Sequence, residues 1–113
     1  MSKRTLQLYL DDIVGAIQQI ESYTRGMTRE AFVKDAKTMD AVVRNIEIIG
    51  EAATHIPNEW KVQHPAIPWK QIAGTRNKVI HEYFGVDETI LWQTIQEDIP
   101  RLKKDLQQVI QSQ

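Results

Sequence analysis

Along most of this chain apolar residues recur every three or four positions, and no segment alternates apolar and polar residues over a useful length. That spacing gathers side chains into one stripe of an α-helix and leaves no sheet to build, so the chain is confined to an all-α fold. From about Thr5 to Tyr23, Leu6, Tyr9, Leu10, Ile13, Ala16, Ile17 and Ile20 share one face, with Asp11, Gln18 and Ser22 opposite. Arg25-Gly26 ends this helix, and Thr28 suits the N-cap of a short one reaching about Lys37. A long helix from about Thr38 to Ile56 turns Met39, Val42, Ile46, Ile49, Ala53 and Ile56 inward and stops at Pro57. Asn58 to Pro68 reads as a connector with one helical turn around Glu59–Val62. After Gly85 a last helix opens at Asp87, an N-cap residue, with Leu91, Ile95, Ile99, Leu102, Leu106 and Val109 as its stripe. Pro100 points away from that stripe, which predicts a kink rather than a break. The expected architecture is one domain over residues 1–113, an antiparallel bundle of four main helices with shorter helical pieces.

One helix in this pattern is anomalous. Trp69 to Phe84 predicts a single helix, opened by Pro68 and closed by Gly85. Trp69, Ile72, Ala73, Val79 and Ile80 form its apolar stripe, yet Arg76 and Tyr83 fall in the middle of it, within roughly 20° of each other. A permanent cation on a core-facing stripe is costly unless it is paired or lines a wet cleft. Asn77 and His81, spaced i,i+4, make a polar row beside the stripe, with Gly74 one turn earlier. The preceding long helix carries its own row, Asp40, Arg44, Glu47 and Glu51. That row reads either as a solvated face with internal ion pairs or as the source of a partner for Arg76, through Glu47 or Glu51. Gly50, at the edge of the apolar face, permits a close helix approach.

Composition removes several function classes. The absence of cysteine excludes disulfides and thiol catalysis and fits an intracellular, cytoplasmic protein. No apolar run approaches the roughly 18–20 residues that cross a bilayer, and no signal-peptide pattern opens the chain. The net charge is −1, whereas a protein gripping long nucleic acid by its backbone is usually basic. A nucleic-acid site here is therefore a local cleft, or draws on charge gathered by oligomerisation. His55 and His64 stand apart with no ligand-like spacing, so neither metal nor cofactor is expected. Trp60, Trp69 and Trp92 read as packing rather than base-stacking platforms. Lys70 and Lys78 read as solvated lysines within reach of a phosphate.

The chemistry available on the anomalous helix is that of a proton carrier beside a fixed cation. Histidine exchanges protons near neutral pH, and the planar guanidinium of arginine fits phosphate oxygens. Without a serine or cysteine nucleophile or clustered carboxylates, this set favours cleavage of a phosphodiester that bears its own nucleophile. RNA is such a substrate, because its 2′-hydroxyl attacks the neighbouring phosphorus once a base removes the proton. His81 would move that proton or protonate the leaving 5′-oxygen, and Arg76 would hold the charge building on phosphorus. On a regular helix, however, His81 sits about 140° from Arg76. Either the helix loosens before Gly85, or the site is shared across a two-fold axis. The second is favoured, since a symmetric pair supplies one histidine as base and another as acid.

Arg76-Asn77-x-x-x-His81-x-Tyr83, set within Ile-Pro-Trp-Lys-x-Ile-Ala-Gly-x-Arg-Asn, resembles the HepT-like toxins of the HEPN superfamily. Arg44-Asn45-Ile-Glu-Ile-Ile-Gly-Glu51 also resembles that family's preceding helix, so the likeness covers most of the chain. The resemblance implies a small all-α homodimer with the Arg-x4-His motifs at the subunit interface. It further implies a metal-independent endoribonuclease, with tRNA among the substrates, serving as the toxin of a toxin-antitoxin system. The partner so implied is a minimal nucleotidyltransferase antitoxin that neutralises the toxin by adenylylating the motif tyrosine. On that basis Arg76 and His81 are catalytic, Asn77 is a supporting polar residue and Tyr83 is the modification site. A competing reading is a non-catalytic module that docks a nucleotidyltransferase or a nucleotide through Arg76 and His81.

Overall fold

Helix α1 (Lys3–Thr24) begins a computed structural model that describes residues 3–81 and 85–111, with side chains from 5–75 and 87–111. The helix ends where Gly26 takes φ 76°, a left-handed conformation that a residue without Cβ adopts freely. Thr28 then caps α2 (Arg29–Val33), its hydroxyl accepting from the Ala31 N–H at 3.1 Å. The short helix stops at Val33 rather than Lys37 because a second cap competes for the chain. Asp35 accepts from the Thr38 N–H at 3.1 Å and from the Thr38 hydroxyl at 2.8 Å, so α3 (Ala36–His55) starts earlier than its apolar stripe alone indicates.

Helix α3 lies at the centre of the fold. Val42, Ile46, Ile49, Ala53 and Ile56 are buried as expected, and Met39 is half-buried. Helix α1 runs antiparallel to it, bringing Tyr9 near its own start against His55 at the end of α3. After Pro57 come α4 (Asn58–Gln63) and a connector pinned by Ile67, which is 1% exposed. Helix α5 (Trp69–Val79) follows, with the Pro68 carbonyl accepting from the Ile72 N–H at 2.9 Å. Pro68 thus caps the helix from just outside it.

The anomalous helix is shorter than its sequence predicts. It ends at Val79, and β1 (Ile80–His81) pairs antiparallel with β2 (Gly85–Val86), Ile80 opposite Val86 and His81 opposite Gly85. Val79 and Ile80 are adjacent β-branched residues, which lose χ1 freedom in a helix and sit comfortably in extended chain. Gly85 therefore serves as a strand partner, not as the cap of a helix reaching Phe84.

Asp87 caps α6 (Glu88–Gln93), its carboxylate accepting from the Ile90 N–H at 3.0 Å. The chain then passes through a π-helical turn (Thr94–Asp98) into α7 (Ile99–Gln111). Two successive steps of four, Leu91 to Ile95 to Ile99, would drift about 80° around a regular helix. The wider turn takes up that drift, with the Ile99 N–H reaching back to the Thr94 carbonyl. It also lies immediately before Pro100, which has no N–H and whose ring would crowd a regular helical turn. The chain stays helical past the proline, and all six stripe residues are buried. Lys103 on α7 pairs with Glu21 near the end of α1 at 3.1 Å. The buried apolar residues of these helices form one core, and the bundle is all-α apart from the two-residue pairing.

The Thr38 amide, followed by its hydroxyl, holds the Asp35 carboxyl below its ordinary range. A carboxyl lowered in the folded state contributes stability above its ordinary pKa, and that contribution is lost as pH falls through the lowered folded value. Asp35→Asn keeps the capping oxygen and removes the charge. It should lower the melting temperature modestly at neutral pH, with the gap closing as pH drops below about 4. Circular dichroism melts of both proteins across that range provide the check.

Candidate active site

The site is built on α5, and α5 is held by α3. Ile72 is buried between them, and a Cβ placed on Gly50 would stand 3.9 Å from the backbone carbonyl oxygens of both Ile72 and Ala73. Two helix backbones approach here as the sequence predicts, although the distance leaves room for a methyl group. Gly74 behaves differently. It is half-buried, yet a Cβ there would meet nothing within 4 Å, so no described neighbour in the chain accounts for a glycine in mid-helix. Thr75 turns its hydroxyl back to the Gln71 carbonyl at 2.9 Å.

On the side of α5 marked by Ala73, an open groove of about 490 Å³ runs between α1, α3 and α5. Tyr9 and Asp12 line it from α1, and Arg44, Glu47, Glu51 and His55 from α3. Three members of the α3 row, Arg44, Glu47 and Glu51, thus share this groove with Ala73 of the motif helix. Glu51 also accepts a hydrogen bond from His55 Nε2 at 2.9 Å, and the His55 ring stacks on Tyr9 at 5.3 Å. His55 extends the row by one more step of four from Glu51, the signal in the sequence that would have linked it to the row. Asn45, part of the Arg44–Glu51 stretch above but given no role there, is only 4% exposed. Its Nδ2 donates to the Ala41 carbonyl at 2.9 Å, while Oδ1 has no hydrogen-bond partner among the described residues. An amide among Val42, Ile46 and Ile49 was the available clue.

The motif straddles the end of the helix. Arg76 and Asn77 occupy the last turn of α5, and His81 lies beyond it on β1, paired with Gly85. The helix thus loosens before Gly85, the first of the two ways around the angular difficulty. The separation of about 140° applies only to a helix that continues to His81, so a two-fold axis is no longer needed to remove it. The side chains of Arg76, Asn77 and His81 are outside those described, and Tyr83 lies outside the described residues altogether. Among the described residues no three His, Asp or Glu side chains are grouped to hold a metal ion, and no helix is long and apolar enough to cross a membrane.

The ribonuclease HepT-like family model matches residues 13–109. This chain belongs to that family. A relative from Thermococcus cleftensis, named a probable ribonuclease HepT, is 54% identical over 101 residues, covering 89% of this chain and 92% of the relative. A relative from Caldanaerobacter subterraneus subsp. tengcongensis, named as a candidate RNase, is 42% identical over 97% of this chain and 98% of its own length. Another from Methanocaldococcus jannaschii, named in the same way, is 38% identical over 95% of this chain and 98% of its own length. No solved structure matches. The HepT-like match spans the α3 row, the whole of α5 and the strand bearing His81, so the motif and its acidic neighbour belong to the shared unit.

The two glycines yield separable expectations. Helix-interior glycine is less favourable than alanine by about 1 kcal/mol. Gly74→Ala should therefore raise stability by up to about that amount, since nothing described obstructs the added methyl. Gly50→Ala should be neutral to mildly stabilising, whereas Gly50→Leu should force α5 off α3 and lower the denaturation midpoint. Urea unfolding followed by far-ultraviolet circular dichroism distinguishes the three.

Proposed function

We propose that this chain is a metal-independent endoribonuclease using the RNA's own 2′-hydroxyl as nucleophile. The observation that carries the proposal is Arg76-Asn77-x-x-x-His81-x-Tyr83 at the junction of α5 and β1 in a HepT-like ribonuclease family member. The 2′-oxygen forms a bond to phosphorus as the bond to the 5′-oxygen breaks. One imidazole takes the 2′ proton, and a second delivers a proton to the departing 5′-oxygen. The products are a 2′,3′-cyclic phosphate and a 5′-hydroxyl. A positioned acid or base contributes typically about 10²–10⁴-fold. Arg76 holds the negative charge that accumulates on the phosphorane oxygens, and Asn77 supports the pair by hydrogen bonding.

The active unit in this reading is a homodimer of single helical domains, with the motif of each copy facing a shared groove. That arrangement supplies the two imidazoles the chemistry uses. Among the described residues nothing stands within 4 Å of a Cβ placed on Gly74, which supports it, because a helix face without a Cβ admits close approach from another molecule. Glu47 and Glu51, bordering α5 across the groove, are placed to hold Arg76 between turnovers.

In its setting the protein is the cytoplasmic toxin of a toxin-antitoxin system acting on RNA, with tRNA as the substrate class. A minimal nucleotidyltransferase antitoxin silences it by adenylylating Tyr83. The added AMP places bulk and negative charge two residues from His81, which blocks the groove and repels substrate phosphate.

Purified protein incubated with total tRNA in EDTA should release fragments ending in 2′,3′-cyclic phosphate. His81→Ala should lower that cleavage at least 100-fold, the lower end of the roughly 10²–10⁴ range, with the circular dichroism spectrum unchanged. Unaltered cutting by the variant removes His81 from the mechanism. Tight binding of nucleotide or of the nucleotidyltransferase without any RNA cleavage would make the protein a docking module instead.

A further inference from the structure

Charge and aromatic surface are distributed unevenly around α5. Among the described residues, the groove along α3 presents three carboxylates, Asp12, Glu47 and Glu51, against the guanidinium of Arg44 and the imidazole of His55. It suits holding a cation. The corner where α4 meets the start of α5 has the opposite character. Trp60 packs on His64 with ring centroids 4.1 Å apart and edge-on to Trp69 at 5.6 Å. The Lys61 ammonium stands 5.9 Å from the centre of the Trp69 ring, and Lys70 is exposed beside it in sequence. Glu59 is the one acidic residue in this stretch.

These tryptophans are not core residues. Both are half-buried, resting on the core without entering it. The Trp69 indole N–H is already satisfied by the His64 carbonyl at 3.2 Å, which fixes the ring beneath the Lys61 ammonium. Trp60 also lines an open groove of about 430 Å³ beside α4. Fixed aromatic rings with ammonium groups alongside are the combination that holds single-stranded nucleic acid, because every base has a π-face and every linkage a negative charge.

We propose that the Trp60–His64–Trp69 cluster, with Lys61, is a base-stacking platform for an unpaired stretch of RNA flanking the cleaved phosphate. The proposal rests on the endoribonuclease reading for the identity of its ligand. Its placement suits that role. Trp69 and Arg76 occupy nearly the same angular position on α5, about 10 Å apart along the axis. At about 3.4 Å per stacked nucleotide, this distance spans roughly three bases. The platform therefore engages substrate upstream or downstream of the cut without touching the reacting atoms, and it favours RNA that is single-stranded near the site.

A short, fluorescently labelled 2′-deoxy oligonucleotide tests this, since it stacks like RNA but lacks the nucleophile for cleavage. The full-length protein should bind it in an anisotropy titration. Trp60→Leu should weaken that binding roughly 10-fold or more. Lys61→Gln, which keeps most of the side chain's length, should reduce the slope of log affinity against log salt by about one contact's worth, roughly 0.7, with the circular dichroism spectrum unchanged. Lys104→Gln on α7 serves as a distant lysine control and should change neither quantity. Absence of oligonucleotide binding, or equal binding and salt slope in all three variants, overturns the platform. If binding follows the expected pattern while the unsubstituted protein cuts no RNA, the platform stands and the nuclease reading fails.

Discussion

Everything at the motif depends on α5 being pressed, backbone to backbone, against α3. Taken alone, α5 is a poor helix. It has 11 residues, with Gly74, Thr75, Asn77 and Val79 all below average in helix propensity. Isolated helices shorter than about 12–15 residues are marginal in water even with favourable composition. Its stability must therefore come from tertiary packing, chiefly Ile72 buried on α3 and the approach at Gly50. Beyond Thr75 the sequence supplies no strong helix former except Arg76 and Lys78 before two β-branched residues intervene, and the helix gives way.

This explains which parts of the fold were legible in the sequence. The apolar stripes of α1, α3 and the last helix fell where their periodicity put them, because each is long enough for hydrophobic burial to dominate every local preference. The caps at Thr28 and Asp87 were legible for a different reason. Their hydrogen bonds are local, formed with amides three residues on. Two features were not legible. Val79-Ile80 satisfied the helical stripe while also favouring extended chain, and pairing with Gly85-Val86 decided between them. The four-four spacing of Leu91, Ile95 and Ile99 looked nearly regular, yet burying all three required a π-helical turn. In both places one apolar pattern was compatible with two backbones.

The candidate site was legible as a set of residue types, but its geometry was not. Arg76, Asn77 and His81 stood out because a cation, an amide and an imidazole sit badly on a core-facing helix. Their arrangement depends on where that helix stops, which periodicity alone could not give. The acidic row of α3 was ambiguous for a related reason. Glu47 and Glu51 could form pairs along their own helix or face Arg76; Glu51 contacts His55 one turn on, and both carboxylates line the groove beside Ala73, while the side chain of Arg76 lies outside those described.

A chain with net charge −1 has to separate its charges if it is to handle RNA. Three carboxylates gather in the groove along α3, next to the helix that carries the motif cation. At the opposite, N-terminal end of α5, Lys61 and the indoles of Trp60 and Trp69 offer a surface of the other kind. Salt would screen the acidic groove and the lysines alike over about 10 Å at 0.1 M, whereas stacking on a fixed ring does not depend on ionic strength in that way. In a weakly acidic protein the aromatic contribution must therefore carry a larger share of the grip than it would in a basic one.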